Sequence, residues 1–168
     1  KQRAAGSSTG RVLQQAETEQ RILDSMTNAA EKTKTWTAYR SSFLSTFRIT
    51  KGAEFLVTHK NTFDQVEQKY GVPREIITAI LGVETNYGGY TGKTRVLNAL
   101  STLAFEHPRR SRFFTSELIE YIVLCREQQW DASEQFGSYA GAMGMSQFMP
   151  SNYRRLAVDG DGDGDIDL

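Results

Sequence analysis

Glu84 is the acidic residue whose surroundings best suit chemistry, because it stands near the end of a segment with the residue pattern of a short helix. Pro73 fits the first turn of this helix, and Asn86 can adopt the left-handed conformation that ends one. The apolar residues between these signals form one stripe, namely Ile77, Ile80 and Leu81. Helical steps of three, four and seven residues from that stripe reach Glu84, so we expect its carboxylate on the buried face.

Two effects would keep a carboxylate in that position protonated. Burial disfavours its charged form, and so does the partial negative charge at a helix C-terminus. A carboxylic acid that is still protonated near neutral pH can act as the general acid in glycoside cleavage. Two other interpretations of Glu84 stay open: a surface residue in the last turn of a rotated helix, and a buried carboxylate hydrogen-bonded to loop amides.

A glycine-rich stretch at residues 136–150 could form the wall of a ligand groove. Small residues at this density permit close approach of the backbone, and Gln147 and Phe148 place an amide beside an aromatic face. Earlier in the chain, aromatic residues recur at helical spacing: Trp36, Tyr39, Phe43 and Phe47. We expect this aromatic stripe to be core, with a platform for a sugar ring at Trp36 or Tyr39 as the alternative.

Arg109, Arg110 and Arg112 fall in the first turn of a helix predicted for residues 109–130. Positive charge at a helix N-terminus opposes the helix dipole. Such a local conflict favours a role for these side chains, such as holding an anionic group, with simple exposure to solvent as the alternative.

Residues 159–167 carry alternating aspartates that match the Ca²⁺-binding loop of an EF-hand. The aspartates fall at positions 1, 3, 5, 7 and 9 of that loop: Asp159, Asp161, Asp163, Asp165 and Asp167. Gly164 falls where the loop turns sharply, and oxygen ligands on alternate residues suit a hard cation. The alternative is a disordered acidic tail. The bidentate twelfth position would fall beyond Leu168, so we expect an incomplete loop with weak Ca²⁺ affinity.

The elements that must position these residues are mainly α-helical, because no stretch of the chain shows the sustained alternation of a β-sheet. A chain of 168 residues is long enough for one domain with a real core. We divide it into a flexible N-terminal segment at residues 1–10, a helical region at 11–158 and the acidic loop at 159–168. The first helix is predicted for residues 11–34.

Composition excludes several classes of function. The chain has 20 basic and 20 acidic residues, so we expect no nucleic-acid partner. Its single cysteine, Cys125, lies among apolar residues and is predicted to be buried rather than nucleophilic. No apolar run approaches the ~20 residues of a membrane span, so we expect no membrane span in this chain.

Several sequence blocks, in their order along the chain, resemble the membrane-bound lytic transglycosylase B family, glycoside hydrolase family 103. These blocks are Gly82-Val83-Glu84-Thr85, Tyr87-Gly88, Gly92-Lys93-Thr94-Arg95, Pro108-Arg109-Arg110, Gly137-Ser138-Tyr139-Ala140-Gly141-Ala142-Met143-Gly144, Gln147-Phe148-Met149-Pro150 and Ala157-Val158-Asp159. The resemblance runs from about Trp36 to Leu168. It implies a lysozyme-like helical fold with a glycine-rich active-site groove and an EF-hand-like loop. It also implies a periplasmic protein of a Gram-negative bacterium, outer-membrane anchored or soluble.

The resemblance assigns roles to particular residues. The family's catalytic acid falls on Glu84, and the serine that hydrogen-bonds the acid falls on Ser138. Residues that line the sugar groove fall on Tyr39, Phe113, Gln147 and Phe148, and Phe113 lacks the hydroxyl of the usual tyrosine. We place Arg109 and Arg110 as contacts for peptide or lactyl carboxylates of the substrate. The implied partners are peptidoglycan glycan strands, with proteins of cell-wall synthesis or lysis as further candidates.

The implied reaction cleaves the β-1,4 bond between N-acetylmuramic acid and N-acetylglucosamine and forms a 1,6-anhydromuramic acid product without a cofactor. Glu84 would protonate the glycosidic oxygen and then act as base on the muramoyl C6 hydroxyl. Glycosidases with two carboxylates place them about 5 Å or roughly 6.5–9.5 Å apart, whereas residues 82–92 and 136–150 contain Glu84 as their single acid. The alternatives are a goose-type lysozyme that uses a positioned water, and a noncatalytic peptidoglycan-binding or scaffold domain.

Overall fold

The computed structural model describes residues 8–27 and 34–166, and over these residues the predicted mainly helical fold is confirmed. The helices are α1 Ser8–Leu13, α2 Gln20–Thr27, α3 Trp36–Ser41, α4 Thr46–Thr58, α5 Lys60–Tyr70, α6 Arg74–Thr85, α7 Val96–Glu106, α8 Ser111–Glu127 and α9 Pro150–Leu156. Two short strands, β1 Thr94–Arg95 and β2 Phe136–Gly137, pair antiparallel. Within the described ranges, none of these helices has both the length and the apolar character that a membrane crossing requires.

The chain divides into two compact units. The large unit comprises residues 1–27 and 92–168, and the small unit comprises residues 28–91. This division introduces a boundary inside the helical region predicted for residues 11–158. In addition, α1 begins at Ser8, inside the segment predicted as flexible for residues 1–10. The three-part domain division stays a prediction.

Helix α7 forms the centre of the large unit. All nine residues from Val96 to Ala104 are buried, and α7 packs against α8 and α2 while α8 packs against α9. The largest fully buried apolar side chains of this core are Ile22, Leu97, Leu100, Leu103, Phe114, Tyr121, Leu124 and Tyr153. Cys125 is also buried, as predicted. Burial raises the pKa of its thiol to about 11, which makes it a poor nucleophile.

The single helix predicted for residues 11–34 is wrong, because α1 ends at Leu13 and α2 begins at Gln20. Polar side chains of the buried α7 replace the helical hydrogen bonds of the segment between them. The N–H of Glu17 donates to Asn98 Oδ1 at 3.1 Å, and the N–H of Glu19 donates to Thr102 Oγ1 at 3.0 Å. Residues 28–33 of the predicted helix lie outside the described residues.

In the small unit, α6 packs against α4 and α5. The aromatic stripe from Trp36 to Phe47 is not core, because Trp36 is 72% exposed and Phe47 is 70% exposed. The stripe is divided between two helices. Helix α3 ends at Ser41, and Ser45 caps α4 by accepting the N–H of Arg48 at 3.3 Å. The helical periodicity therefore does not continue through the segment.

Candidate active site

Glu84 lies in the last turn of α6 and is exposed, so its predicted burial is wrong. The helix buries Thr78, Gly82 and Thr85 instead, whereas Ile80 is 53% exposed. The buried face consists of small residues because α6 lies close to α4, and this rotates the helix relative to its most apolar stripe. The surface residue of a rotated helix, one of the alternatives above, is therefore the correct description of Glu84.

The backbone immediately after Glu84 turns sharply. Asn86, Tyr87 and Gly88 all adopt left-handed conformations, with φ of 52°, 59° and 72°. Two of these three residues are not glycine, and left-handed backbone is uncommon for such residues. The N–H of Gly88 donates to Thr85 Oγ1 at 3.0 Å. Hydrogen bonds and side-chain packing must therefore hold the turn that ends α6 beside the carboxylate.

An apolar recess of about 240 Å³ lies beside the residue preceding Glu84. It is lined by Trp36, Tyr39, Arg40, Phe43, Leu44 and Val83. The Tyr39 ring centroid lies 6.4 Å from that of Trp36 and 5.1 Å from that of Phe43. The structure thus places the predicted groove residue Tyr39 near the end of α6, half-buried between the exposed Trp36 and the half-buried Phe43.

In the large unit, Ser138 forms a tight turn directly after β2. Its Oγ accepts the N–H of Ala140 at 3.2 Å and that of Ala142 at 3.0 Å, while its own N–H donates to the carbonyl of Ala142 at 2.8 Å. Both side-chain bonds use the oxygen as acceptor, so they leave the hydroxyl proton for donation elsewhere. The half-buried Ser138 is thereby held in one orientation.

Gln147 and Phe148 lie on a second tight turn of the same loop, which is closed by a β bridge between Met143 and Phe148. The N–H of Met143 donates to the carbonyl of Phe148 at 2.8 Å, and the reverse bond measures 3.0 Å. Gln147 has a φ of 53°, and its Nε2 donates to the carbonyl of Gly144 at 3.0 Å. The glycine-rich stretch is therefore an ordered loop in which Gln147 and Phe148 are both half-buried and Phe148 packs against the core of the large unit.

Glu117, which the sequence interpretation missed, fastens the end of this loop. It is buried on α8, and its carboxylate accepts the N–H of Ser151 at 3.0 Å and the hydroxyl of Ser151 at 2.7 Å. The N–H groups in the first turn of a helix have no intrahelical partners, and a carboxylate can accept them. Here Glu117 does this at the start of α9. An acid at a core-facing helix position is the signal that could have identified it.

Arg109, Arg110 and Phe113 form another group in the large unit. Helix α8 begins at Ser111, so Arg109 and Arg110 precede the helix and do not fill its first turn. Their N–H groups donate to His107 Nδ1 at 3.2 and 3.1 Å. The Arg110 guanidinium lies 4.5 Å from the centroid of the Phe113 ring. The exposed Arg110 cation is therefore kept beside an aromatic face, while Arg109 shares its main-chain anchor on His107.

The acidic loop brings three of its five aspartates together. Ligand oxygens of Asp159, Asp161 and Asp163 lie within 4.8 Å of one another, and all three residues are exposed. Gly164 has a φ of 99°, which only glycine adopts readily. The N–H of Gly162 donates to Asp159 Oδ1, and this bond is the main reason that the pKa of Asp159 is lowered.

Asp165 is exposed and lies outside the group of three, and Asp167 lies outside the described residues. The predicted site residues are therefore divided between the two units. Glu84 and Tyr39 belong to the small unit, and the Ser138–Phe148 loop, the arginines with Phe113, and the aspartates belong to the large unit. The catalytic and binding roles of these residues remain predictions.

The helical fold and the comparisons with known proteins together place the chain in the class of transglycosylase domains. The Transglycosylase SLT domain family matches residues 1–168, and the chain belongs to this family. The resemblance inferred from the sequence blocks is thereby confirmed.

The membrane-bound lytic murein transglycosylase B of Escherichia coli (strain K12) is 41% identical over 166 residues, covering 94% of this chain and 46% of that protein. The E. coli lytic transglycosylase Slt35 in complex with calcium is 42% identical with a TM-score of 0.87, covering 95% of this chain and 51% of that one. SltB3 from Pseudomonas aeruginosa in complex with NAG-anhNAM-pentapeptide is 31% identical with a TM-score of 0.87, and the match covers 98% of this chain and 44% of that one. The chain spans about half the length of these relatives.

Proposed function

We propose that the chain carries the catalytic acid of a lytic transglycosylase that cleaves the β-1,4 bond between N-acetylmuramic acid and N-acetylglucosamine with formation of a 1,6-anhydromuramic acid. The observation that carries this proposal is the exposed Glu84 at the end of α6, followed by a turn of three left-handed residues. An exposed carboxylate on an ordered helix end can reach a polymeric substrate. The relative SltB3 was solved with a fragment that contains the anhydro sugar, which supports this product.

The reaction needs one group that gives a proton and then takes one back. Glu84 donates its proton to the glycosidic oxygen as the bond to muramoyl C1 breaks, and the bond's electrons stay with the leaving N-acetylglucosamine. The carboxylate of Glu84 then accepts the proton of the muramoyl C6 hydroxyl, whose oxygen bonds to C1. Glu84 ends protonated, no water is consumed, and no second protein carboxylate is required.

The other residues are proposed to bind or orient the glycan. Ser138, whose hydroxyl proton is available for donation, is proposed as the catalytic support residue, and Tyr39, Phe113, Gln147 and Phe148 as faces and an amide for sugar rings. The exposed Arg109 and Arg110 fit carboxylates of the lactyl or peptide groups. We also propose that the protein acts in the periplasm of a Gram-negative bacterium, the kind of organism that its E. coli relative comes from. The name of the E. coli relative supports a cell-wall substrate.

Mass analysis of the products from purified peptidoglycan tests the proposed reaction. The expected product is lighter than the hydrolytic one by the mass of one water molecule, and Glu84→Gln should lower its rate by about 10²–10⁴-fold. Glu75→Gln, which removes an acid from the first turn of the same helix, is the matched control and should retain the rate. Reducing muramic acid ends would instead identify a goose-type hydrolase. Equal turnover by wild type and Glu84→Gln would favour a noncatalytic binding domain.

We also propose that the acidic loop holds Ca²⁺ through Asp159, Asp161 and Asp163, with Asp165 and Asp167 as further ligands. The clustered oxygens and the turn at Gly164 fit a hard cation. The Slt35 relative was solved with calcium, which supports this assignment. When bound, the ion would supply structural cross-linking of the loop and no step of the reaction.

Thermal unfolding with increasing Ca²⁺ tests the metal proposal. A free Ca²⁺ concentration tenfold above the dissociation constant should stabilise the chain by about 1.4 kcal/mol. Asp161→Asn should weaken this response, whereas Asp131→Asn, an exposed aspartate elsewhere in the large unit, should leave it unchanged. An unfolding temperature of the wild-type chain that does not change up to millimolar Ca²⁺ would contradict the proposal.

A further inference from the structure

One face of α4 lies against the C-terminal end of α6 within the small unit. Arg48, Lys51 and Gly52 are spaced at i, i+3 and i+4, so they share that face. The Arg48 Nη1 donates to the carbonyl of Gly82 at 2.7 Å, and the Lys51 Nζ donates to the carbonyl of Asn86 at 2.7 Å. The two cations therefore bind the main chain two residues before and two residues after Glu84.

The carbonyl of Gly82 in the last turn of α6 and that of Asn86 just after it lie at the end of the helix where negative charge accumulates. The last carbonyls of a helix lack the full set of intrahelical partners, and the helix dipole adds a partial negative charge there. That charge opposes a carboxylate in the last turn. A guanidinium and an ammonium bound directly to the carbonyls offset it, and such charge-assisted hydrogen bonds are stronger than neutral ones.

The third member of the face, Gly52, leaves space for the Tyr87 ring. A Cβ at Gly52 would overlap with that ring, and a Cβ at Gly82 would lie 2.6 Å from the Tyr87 Oη. The ring also packs on Phe55 of α4, with 5.6 Å between ring centroids. The last turn of α6 and the turn after it are thus fixed to α4 by two cations and one aromatic ring.

We propose that Arg48 and Lys51 are positioning residues for Glu84, an inference that rests on the proposed function. Arg48 holds the last turn of α6 and Lys51 holds the left-handed turn that follows it, so together they fix the direction in which the Glu84 side chain leaves the helix. Neither residue has to touch the glycan to do so. Their loss should therefore slow the chemical step and leave the binding of substrate nearly unchanged.

The test compares Arg48→Met, Lys51→Met and the double variant with wild type. The double variant should have a kcat about tenfold lower, with KM changed by less than about twofold. Arg48→Lys and Lys51→Arg keep a charged donor and should recover most of the rate. Lys60→Met is the matched control, because Lys60 is a cation of the same unit whose partner is Asp64.

Lys51→Met is the single variant whose effect is easier to interpret. Arg48 also lies 5.3 Å from the ring centroid of Phe43, which lines the recess, so its loss could change the recess as well.

A second measurement, amide hydrogen exchange of the folded chain, is independent of activity. The N–H of Tyr87 donates to the carbonyl of Leu81 at 3.1 Å, and that of Tyr90 donates to the carbonyl of Thr85 at 2.9 Å. Both amides should exchange faster in Lys51→Met and at the wild-type rate in Lys60→Met.

The two measurements separate the possible failures. If the wild-type chain forms no anhydro product, the proposed function fails, and the exchange rates of Tyr87 and Tyr90 still decide whether the cations fix the turn. An unchanged kcat in the double variant of an active chain would overturn the inference, and so would a loss that appears only in KM. Unchanged exchange at both amides would also overturn it.

Discussion

The large and small units are stabilised by different kinds of contact. In the large unit, α7 is buried along nine consecutive residues and forms an apolar core with α8. In the small unit, the buried residues of α4, α5 and α6 are Gly52, Phe63, Thr78, Gly82 and Thr85, of which one is a large apolar residue. The large unit is therefore ordered mainly by burial of apolar surface, and the small unit has much less of it to bury.

Polar contacts and close backbone approach replace that core in the small unit. Arg74, the first residue of α6, donates to Asp64 at 2.5 Å and through its Nε to Glu67 at 2.8 Å, which ties α6 to α5. At the other end of α6, Arg48 and Lys51 bind main-chain carbonyls. This difference explains how Glu84 can be exposed and still fixed in place, because its helix is held at the ends and needs no covering layer over the carboxylate.

The largest expected contrast between the units comes from truncating one apolar side chain in each. Leu100→Ala removes a fully buried side chain from α7 and should lower the free energy of unfolding by about 3 kcal/mol. Ile80→Ala removes a side chain that is 53% exposed on α6 and should change it by less than about 0.5 kcal/mol. Chemical denaturation of both variants provides the measurement. Equal losses would show that α6 is buried in solution and would contradict the comparison.

A smaller effect is expected from closing the gap between α4 and α6. Gly82→Ala gains helix propensity but brings a Cβ to 2.6 Å from the Tyr87 Oη and 2.7 Å from its Cζ. The ring must move, so we expect a net loss of about 1–2 kcal/mol in the free energy of unfolding. Adding Tyr87→Phe removes the nearest atom and should restore part of the loss. Gly160→Ala, with no atom within 4 Å of the new Cβ, is the neutral control.

The same comparison explains which parts of the structure the sequence could predict. Sustained apolar periodicity identified α8 and the burial of Cys125, because the large unit follows the rule that apolar stripes face a core. That rule gave the wrong face for Glu84, since α6 buries Thr78, Gly82 and Thr85 while Ile76 and Ile80 are exposed. The break between α1 and α2 was also missed, because it depends on side chains of α7 about 80 residues away in sequence.

The sequence blocks identified the family correctly because they record residue types and order, which do not depend on the rotation of a helix. Contacts between distant segments leave a weaker signal. The spacing of Arg48, Lys51 and Gly52 was visible, but their partners were not, since main-chain carbonyls are present at every position. The paired strands β1 and β2 were likewise too short to produce an alternating pattern.

The smallest expected effect concerns the ion pairs that hold α9 to α8 in the large unit. Arg154 donates to Glu127 at 2.7 and 2.6 Å and also pairs with Glu120. The hydrogen bond from Arg154 lowers the pKa of Glu127 below its ordinary value of 4.5. A group with a lowered pKa in the folded state contributes stability above its unfolded pKa and loses it as the pH falls through the folded value.

Arg154→Met should therefore destabilise the chain by less than about 1 kcal/mol at pH 7, because the Glu127 side chain is 46% exposed and solvent screens the pair. The difference from wild type should shrink as the pH falls below the ordinary carboxyl pKa of 4.5 and through the lowered pKa of Glu127, where the carboxylate takes up a proton. Urea unfolding at pH 7 and pH 3 measures it. Arg155→Met is the control, because the nearby Arg155 donates to the neutral Asn152 and should show no such pH dependence. A loss at Arg154 that is equally large at both pH values would mean that packing of its stem, and not its charge, holds α9, so that the large unit would be ordered by apolar contacts there as well.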